Sequence, residues 1–175
     1  TFDGAGHTIS GLYFNENRNY AGLFGLVEDG NVRNVGVTDS YICGQNYIGG
    51  ICGKKSYGTI ADSYNKGVVS GTGYVAGICG INYGTVENCY NTGKVTASEE
   101  YAGGICGRNY TTISNCYCMK DGNIQGIGLN DGYFNGVTAM TEERFQSGEA
   151  AYKLGKAFFQ TLGADSFPVF DSTHH

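Results

Sequence analysis

Tryptophan is absent from the 175 residues, and proline occurs once. With so little proline the chain is neither collagen-like nor a Pro-rich linker, despite its 30 glycines. Charge is also scarce: Lys and Arg number 11 against 16 Asp and Glu, for a net charge of −5, and no basic run occurs. Nucleic acid and anionic membrane surfaces are thereby disfavoured as partners. No stretch approaches the ~18 consecutive apolar residues of a spanning helix, so no membrane insertion is expected. Of the three histidines only His7 lies away from the C-terminus, which leaves little for a zinc site or a base beside a nucleophile. No leader is recognisable, and Thr1-Phe2-Asp3-Gly4 reads as part of a repeat already under way. The expectation is a piece of a longer chain with flanking domains; His174-His175 is open between a tag remnant and native residues.

What is abundant is tyrosine, 14 residues, beside nine phenylalanines, an aromatic content too high for a disordered segment. Tyr20, Tyr47, Tyr74 and Tyr101 recur at intervals of 27 residues. They open the words Y-A-G-L-F-G, Y-I-G-G-I-C-G, Y-V-A-G-I-C-G and Y-A-G-G-I-C-G. Each word is followed by a turn and a short strand containing Val32, Ile60, Val86 or Ile113, and three residues on by Val35, Ser63, Cys89 or Cys116. Gly6 to Leu12 fits the same frame through Ile9 and Leu12, and a third short strand follows near Val68-Val69 and Lys94-Val95-Thr96.

Three β-rich runs per period, separated by Gly, Asn and Asp, describe a three-sided coil. A helical repeat would bear this glycine load badly, at about 1 kcal/mol per interior Gly. A propeller blade needs roughly 40–45 residues, more than one period supplies. The fold class expected is an all-β solenoid, a parallel β-helix of about five coils, right-handed by the general rule for parallel crossovers. The coils should occupy residues 1–120, and residues 121–175 should form an irregular last coil and a small helical cap. Coils stacked about 4.8 Å apart place equivalent residues in columns. Those columns are Cys52/Cys79/Cys106 with Phe24, Ile51/Ile78/Ile105 with Leu23, and Asn34/Asp62/Asn88/Asn115 at a bend with side-chain amide bonds along it. Three tyrosine columns complete the set: Tyr20/Tyr47/Tyr74/Tyr101, Tyr57/Tyr83/Tyr110 and Tyr64/Tyr90/Tyr117.

Seven cysteines, most of them in these columns, read as buried free thiols acting as small hydrophobes. A disulfide remains an alternative, at Cys89–Cys116 or through Cys43, although in-register side chains point the same way. Cys116-Tyr117-Cys118 alone is a poor metal signal, and no cofactor or metal is expected. Acids in the coils are thinly spread, and Glu28-Asp29 and Glu99-Glu100 sit in expected turns. Paired carboxylates for polysaccharide cleavage are therefore not apparent. The tyrosine columns have two readings: packing over turns, or a ligand-stacking surface made by Tyr57, Tyr83, Tyr110, Tyr64, Tyr90 and Tyr117.

The words Y-[AVI]-[GA]-G-I-C-G and G-T-[VI]-x-[ND]-[SC]-Y resemble the GLUG-motif repeats of bacterial surface proteins, over roughly residues 1–118. The first unit departs from the pattern in A-G-L-F-G, and the last lacks the glycine before Thr112. The ending F-F-Q-T-L-G-A-D-S-F-P is similar to a W-Y-Q-x-x-G-x-D-x-x-P segment that closes such regions, with Phe158 in the tryptophan place. Before it, Thr141 is placed to N-cap a helix with Glu142 and Glu143 in its first turn. Phe145, Ala151, Leu154 and Phe158 form an apolar stripe interrupted by Gly148, which allows two short helices covering the end of the solenoid. The resemblance implies a non-catalytic module of an extracellular or cell-surface bacterial protein, a stalk or an adhesive surface for host protein or glycan. The rival is a carbohydrate-active β-helix enzyme or its glycan-binding accessory module.

Overall fold

The computed structural model describes residues 1–99, 101–122 and 124–174; Glu100, one half of an expected turn pair, and His175 lie outside the described residues. The chain winds through three parallel sheets. The first sheet stacks Phe2–Ser10, Val32–Thr38, Thr59–Ala61 with Tyr64–Asn65, Thr85–Glu87 with Tyr90–Asn91, Thr112–Met119 and Phe134–Met140. The second stacks Tyr13–Asn15, Tyr41–Gly44, Val68–Gly71 and Val95–Ala97. The third stacks Phe24–Val27, Ile48–Gly49 with Cys52–Lys55, Val75–Ala76 with Cys79–Asn82, Ala102–Asn109 and Gln125–Asn130. Four coils contribute to all three sheets, the next contributes to two, and Phe134–Met140 adds a last strand to the first sheet. Regular pairing therefore runs on to Met140, through register shifts between Gly103 and Cys106 and between Ile113 and Cys116.

Bends in the first sheet explain why aliphatics three residues apart both point inward. Asn34, Asp62, Asn88 and Asn115 have φ of 53°, 45°, 50° and 47°. This is the left-handed region, which Asn and Asp enter more readily than other non-glycine residues. One such residue resets the strand alternation, so Val86 and Cys89 are both fully buried, as are Ile113 and Cys116. The column makes the expected side-chain bond where it is asparagine throughout: Asn115 Nδ2 donates to Asn88 Oδ1 at 2.8 Å.

The core is built from the columns read in the sequence. Cys52, Cys79 and Cys106 lie in register with Phe24 below and Ile127 above. Together with Ile51, Ile78, Ile105 and the Val32/Ile60/Val86/Ile113 column they form one continuous cluster. All seven cysteines are free, and all but Cys43 are buried. The Sγ–H groups of Cys52, Cys79 and Cys106 reach backbone carbonyls two residues on, at 3.0, 3.2 and 3.2 Å. A second cluster, Ile42, Val69, Val95, Ile48 and Val75, fills the corner between the second and third sheets.

The frame of the first coil differs from the one expected. Phe2 pairs with Val32, and Ile9 pairs with Val37 instead of taking the Val32 place. Extra residues between Asp3 and His7 cause the shift, with Ala5 and Gly6 at φ of 51° and 76°.

The cap also lies elsewhere than expected. Helices α1 (Glu142–Gln146) and α2 (Glu149–Leu154) form where the apolar stripe predicts them, with Thr141 at the N-cap of α1. They do not close the end of the solenoid. They and the following segment lie along the outer face of the first sheet, where Phe145, Ala150, Leu154 and Phe158 cluster with Tyr64, Tyr90 and Tyr117. Phe170 reaches back as far as Gly6 in the first coil and lies 5.1 Å from the Tyr64 ring. The reason is the tyrosine column itself, which makes a flat apolar face worth covering. Tyr64 and Tyr90 stack at 4.9 Å, and Phe158 meets the Tyr90 ring at 5.6 Å. Each phenol finds a partner: Tyr64 with Thr8 Oγ1 at 2.9 Å, and Tyr90 and Tyr117 donating to Pro168 O and Asn115 Oδ1, each at 2.5 Å.

Two expectations follow. Phe158→Ala should lower stability by about 3–5 kcal/mol, the range for a buried aromatic, as read from urea unfolding. Burial pushes the Cys79 and Cys89 thiols well above their ordinary 9.0 and the Cys118 thiol up to about 12. Above the ordinary value the unfolded chain releases these protons while the folded chain keeps them, so stability falls as pH rises. The urea midpoint should therefore drop above pH ~9, and native thiols other than Cys43 should resist alkylation at neutral pH.

Candidate functional site

Exposed tyrosines of the coils lie on two sheets: Tyr13 and Tyr41 stack at 5.6 Å on the second, and the outer flank of the third carries two further ladders. Tyr20 and Tyr47 sit at the corner with φ of 60° and 61°, turning their rings outward beside the strand. Rings of Tyr20, Tyr47, Tyr74 and Tyr101 stack at 5.2, 5.6 and 5.9 Å, with interplanar angles of 10°, 8° and 17°. On the other side of the strand Tyr83 and Tyr110 stack at 4.6 Å and 5°. Parallel rings this close have no room for a sugar ring between them. The ladders therefore present ring edges and phenol oxygens.

Of the six tyrosines expected to form a stacking surface, the structure brings three to this flank. Tyr57 is 68% and Tyr83 39% exposed, and Tyr110 is half-buried. Tyr64, Tyr90 and Tyr117 are 4%, 0% and 7% exposed, because the cap packs on them; they are corrected from a ligand surface to part of the core. The Tyr20/Tyr47/Tyr74/Tyr101 column takes their place at the surface, with Tyr20 and Tyr101 exposed.

Between the two ladders runs a row that the sequence reading did not single out: Leu26, Lys54, Ile81, Arg108 and Leu129, in register. The Arg108 guanidinium lies 4.6 Å from the Tyr110 ring centre and 5.5 Å from that of Tyr74, joining the ladders. Its Nε donates to Asp131 Oδ2 at 3.0 Å and its Nη1 to the Tyr74 hydroxyl at 3.3 Å. Lys54 Nζ sits 5.7 Å from the Tyr83 ring centre. Burial, then the neighbouring Tyr110, push the Tyr83 phenol above its ordinary range, so it remains a donor at neutral pH. The signal was present in the sequence two places beyond the cysteine column, in C-G-K, C-G-I and C-G-R.

Beneath this flank the coil is held by a second unanticipated column. Asn82 Nδ2 donates to Asn109 Oδ1 at 2.9 Å, and Asn109 Nδ2 to Asn130 Oδ1 at 2.8 Å. Each oxygen also receives a backbone N–H two residues on, at 3.0 to 3.3 Å, which closes the turn carrying the next residue outward. Below Asn82 the place is held by Lys55, fully buried, whose ammonium donates to Gly30 O at 2.6 Å and to Tyr57 O. Burial lowers its pKa. An equivalent pair, Asn65 and Asn91, is bonded at 2.8 Å at the next corner, in space left by Gly50 and Gly77.

A separate groove of about 620 Å³ opens beyond Val95–Ala97, where the described residues add no further strand to the second sheet. Lys94, Lys120, Asp121, Glu142 and Glu143 are its charged lining. A hydrogen bond from Thr141 holds the Glu143 carboxyl below the usual range, which suits a base and not a general acid.

The asparagine ladder sets the footing of the tyrosine flank. Asn109→Ala removes bonds to two neighbouring coils and leaves buried groups without partners. It should lower stability by about 1–3 kcal/mol in urea unfolding. It should also perturb the near-ultraviolet tyrosine spectrum, which an unrelated surface change would leave alone.

Among the described residues no helix is long and apolar enough to cross a membrane. No curated protein and no solved structure matches the chain. Residues 71–96 match the family model of the GLUG motif. That span starts at the end of a second-sheet strand, passes through Val75–Ala76 and Cys79–Asn82, and enters the next second-sheet strand. The match to the GLUG motif therefore covers one full circuit of this solenoid.

Proposed function

We propose that the chain is a non-catalytic repeat module of a bacterial cell-surface or secreted protein, a stiff stalk whose third-sheet flank is an adhesive surface for host protein or glycan. One contrast carries the reading. The cap covers the Tyr64/Tyr90/Tyr117 ladder, while the ladder of Tyr20, Tyr47, Tyr74 and Tyr101 is left at the surface. Aligned phenols are amphipathic, and such side chains are enriched where proteins meet partners. Stiffness follows from coils bonded to one another at every sheet. Extracellular placement rests on the kinship of the repeat and belongs to the same proposal.

The test is a glycan and host-protein array probed with the folded module, then with Tyr47→Ala/Tyr74→Ala. Saturable binding that weakens about tenfold, or ~1.4 kcal/mol, in the double variant supports the adhesive surface. A spacer with no surface role gives no saturable binding. A second reading, a carbohydrate-active enzyme or its accessory module, draws on Asp121, Glu142 and Glu143 around the end groove. Cleavage of a polysaccharide that is lost in Glu142→Gln or Glu143→Gln would replace the adhesive reading with that one.

A further inference from the structure

We infer that the third-sheet flank is a lengthwise site for an acidic polysaccharide whose charge falls on alternate sugar rings. The inference rests on the adhesive reading above and assigns it a ligand class. The row Leu26, Lys54, Ile81, Arg108, Leu129 alternates apolar and cationic side chains, one per coil. Lys54 and Arg108 are two coils apart, about 9.6 Å along the axis at the ~4.8 Å spacing of strands. One coil thus advances by close to the length that one pyranose adds to an extended chain, and the cations recur with every second ring. One uncharged ring would lay its C–H face against the exposed Leu26, and another would pass over Ile81, which at 5% exposure forms the closed floor of the track. Phenol oxygens of the two flanking ladders line both sides of the track and offer hydrogen bonds to ring hydroxyls.

The cations are suited to carboxylate or sulfate. Arg108 is held by its bonds to Asp131 and the Tyr74 hydroxyl, with the Tyr110 and Tyr74 ring centres 4.6 and 5.5 Å away, which fixes its fork before a ligand arrives. Two of its N–H groups are directed at Asp131 and the Tyr74 hydroxyl, which leaves donors of the five for an incoming anion. Among the described residues Lys54 makes no ion pair with a carboxylate. Among the described residues the one carboxylate bonded to the row is that of Asp131, 40% exposed, which occupies one edge of Arg108 and competes with a ligand there. A neutral glycan would use the phenols and the apolar members but would gain nothing from the two cations. A nucleic acid would space its charges more closely than this row does.

The experiment is calorimetric titration of the module with a hyaluronan decasaccharide, which carries a carboxylate on alternate rings, and with its carboxyl-reduced neutral counterpart. The acidic form should bind at least about tenfold more tightly and weaken as salt is raised. Lys54→Gln and Arg108→Gln should each abolish most of that preference. Asp131→Asn should tighten acidic binding, a gain that a purely structural role for the Arg108–Asp131 pair does not produce. Equal binding of both forms, unchanged in the variants, overturns the acidic assignment and leaves the glycan-adhesion reading standing. Binding of neither form, with a host protein captured on the array, overturns the assignment and restricts adhesion to protein. Binding of neither form and capture of nothing overturns both.

Discussion

Everything in this structure depends on in-register stacking of one coil on the next. At a rise of about one strand spacing, each side chain meets the residue in the same place one turn later. A column therefore has to be filled by residues that tolerate their own kind. Cysteine and isoleucine satisfy this by packing, asparagine by donating its amide to the next oxygen, and tyrosine by stacking its ring. Charge does not stack on itself, and the chain avoids it: Lys54 and Arg108 are separated by Ile81. Lys55, at the foot of an asparagine column, bonds to backbone carbonyls of Gly30 and Tyr57 instead of to a second lysine.

The same constraint yields opposite outcomes for chemically identical columns. Tyr64, Tyr90 and Tyr117 became interior because the segment after Met140 folds back along the first sheet and supplies Phe145, Leu154, Phe158 and Phe170 as cover. Tyr20, Tyr47, Tyr74 and Tyr101 receive no such cover. Stacked rings also show edges instead of faces, which shifts their chemistry from sugar stacking toward hydrogen bonding by phenols. The cap is thus a lateral brace, joining the last coil to the first through Phe170 beside Gly6.

Some of the site was visible in the sequence and some was not, for identifiable reasons. Columns with period-long identity, such as Cys52/Cys79/Cys106, announce themselves. Lys54 and Arg108 do not, because their column changes residue at every coil and shows only once register is known. The ladder of Asn82, Asn109 and Asn130 was hidden by a change of spacing, 27 residues and then 21. The frame of the first coil is not legible in the sequence because extra residues between Asp3 and His7 break the period without any marker except an unusual backbone.

The sequence by itself determined the parallel solenoid, its period, its thiol and aliphatic core, the asparagine bend and the two terminal helices. Each is a local or repeated preference that needs only neighbouring coils to express it. Tertiary structure alone decided which tyrosine ladder is buried, where the cap lies, and that Arg108 joins Tyr74 to Tyr110. Those outcomes depend on contacts between residues far apart in the chain, which no periodicity encodes.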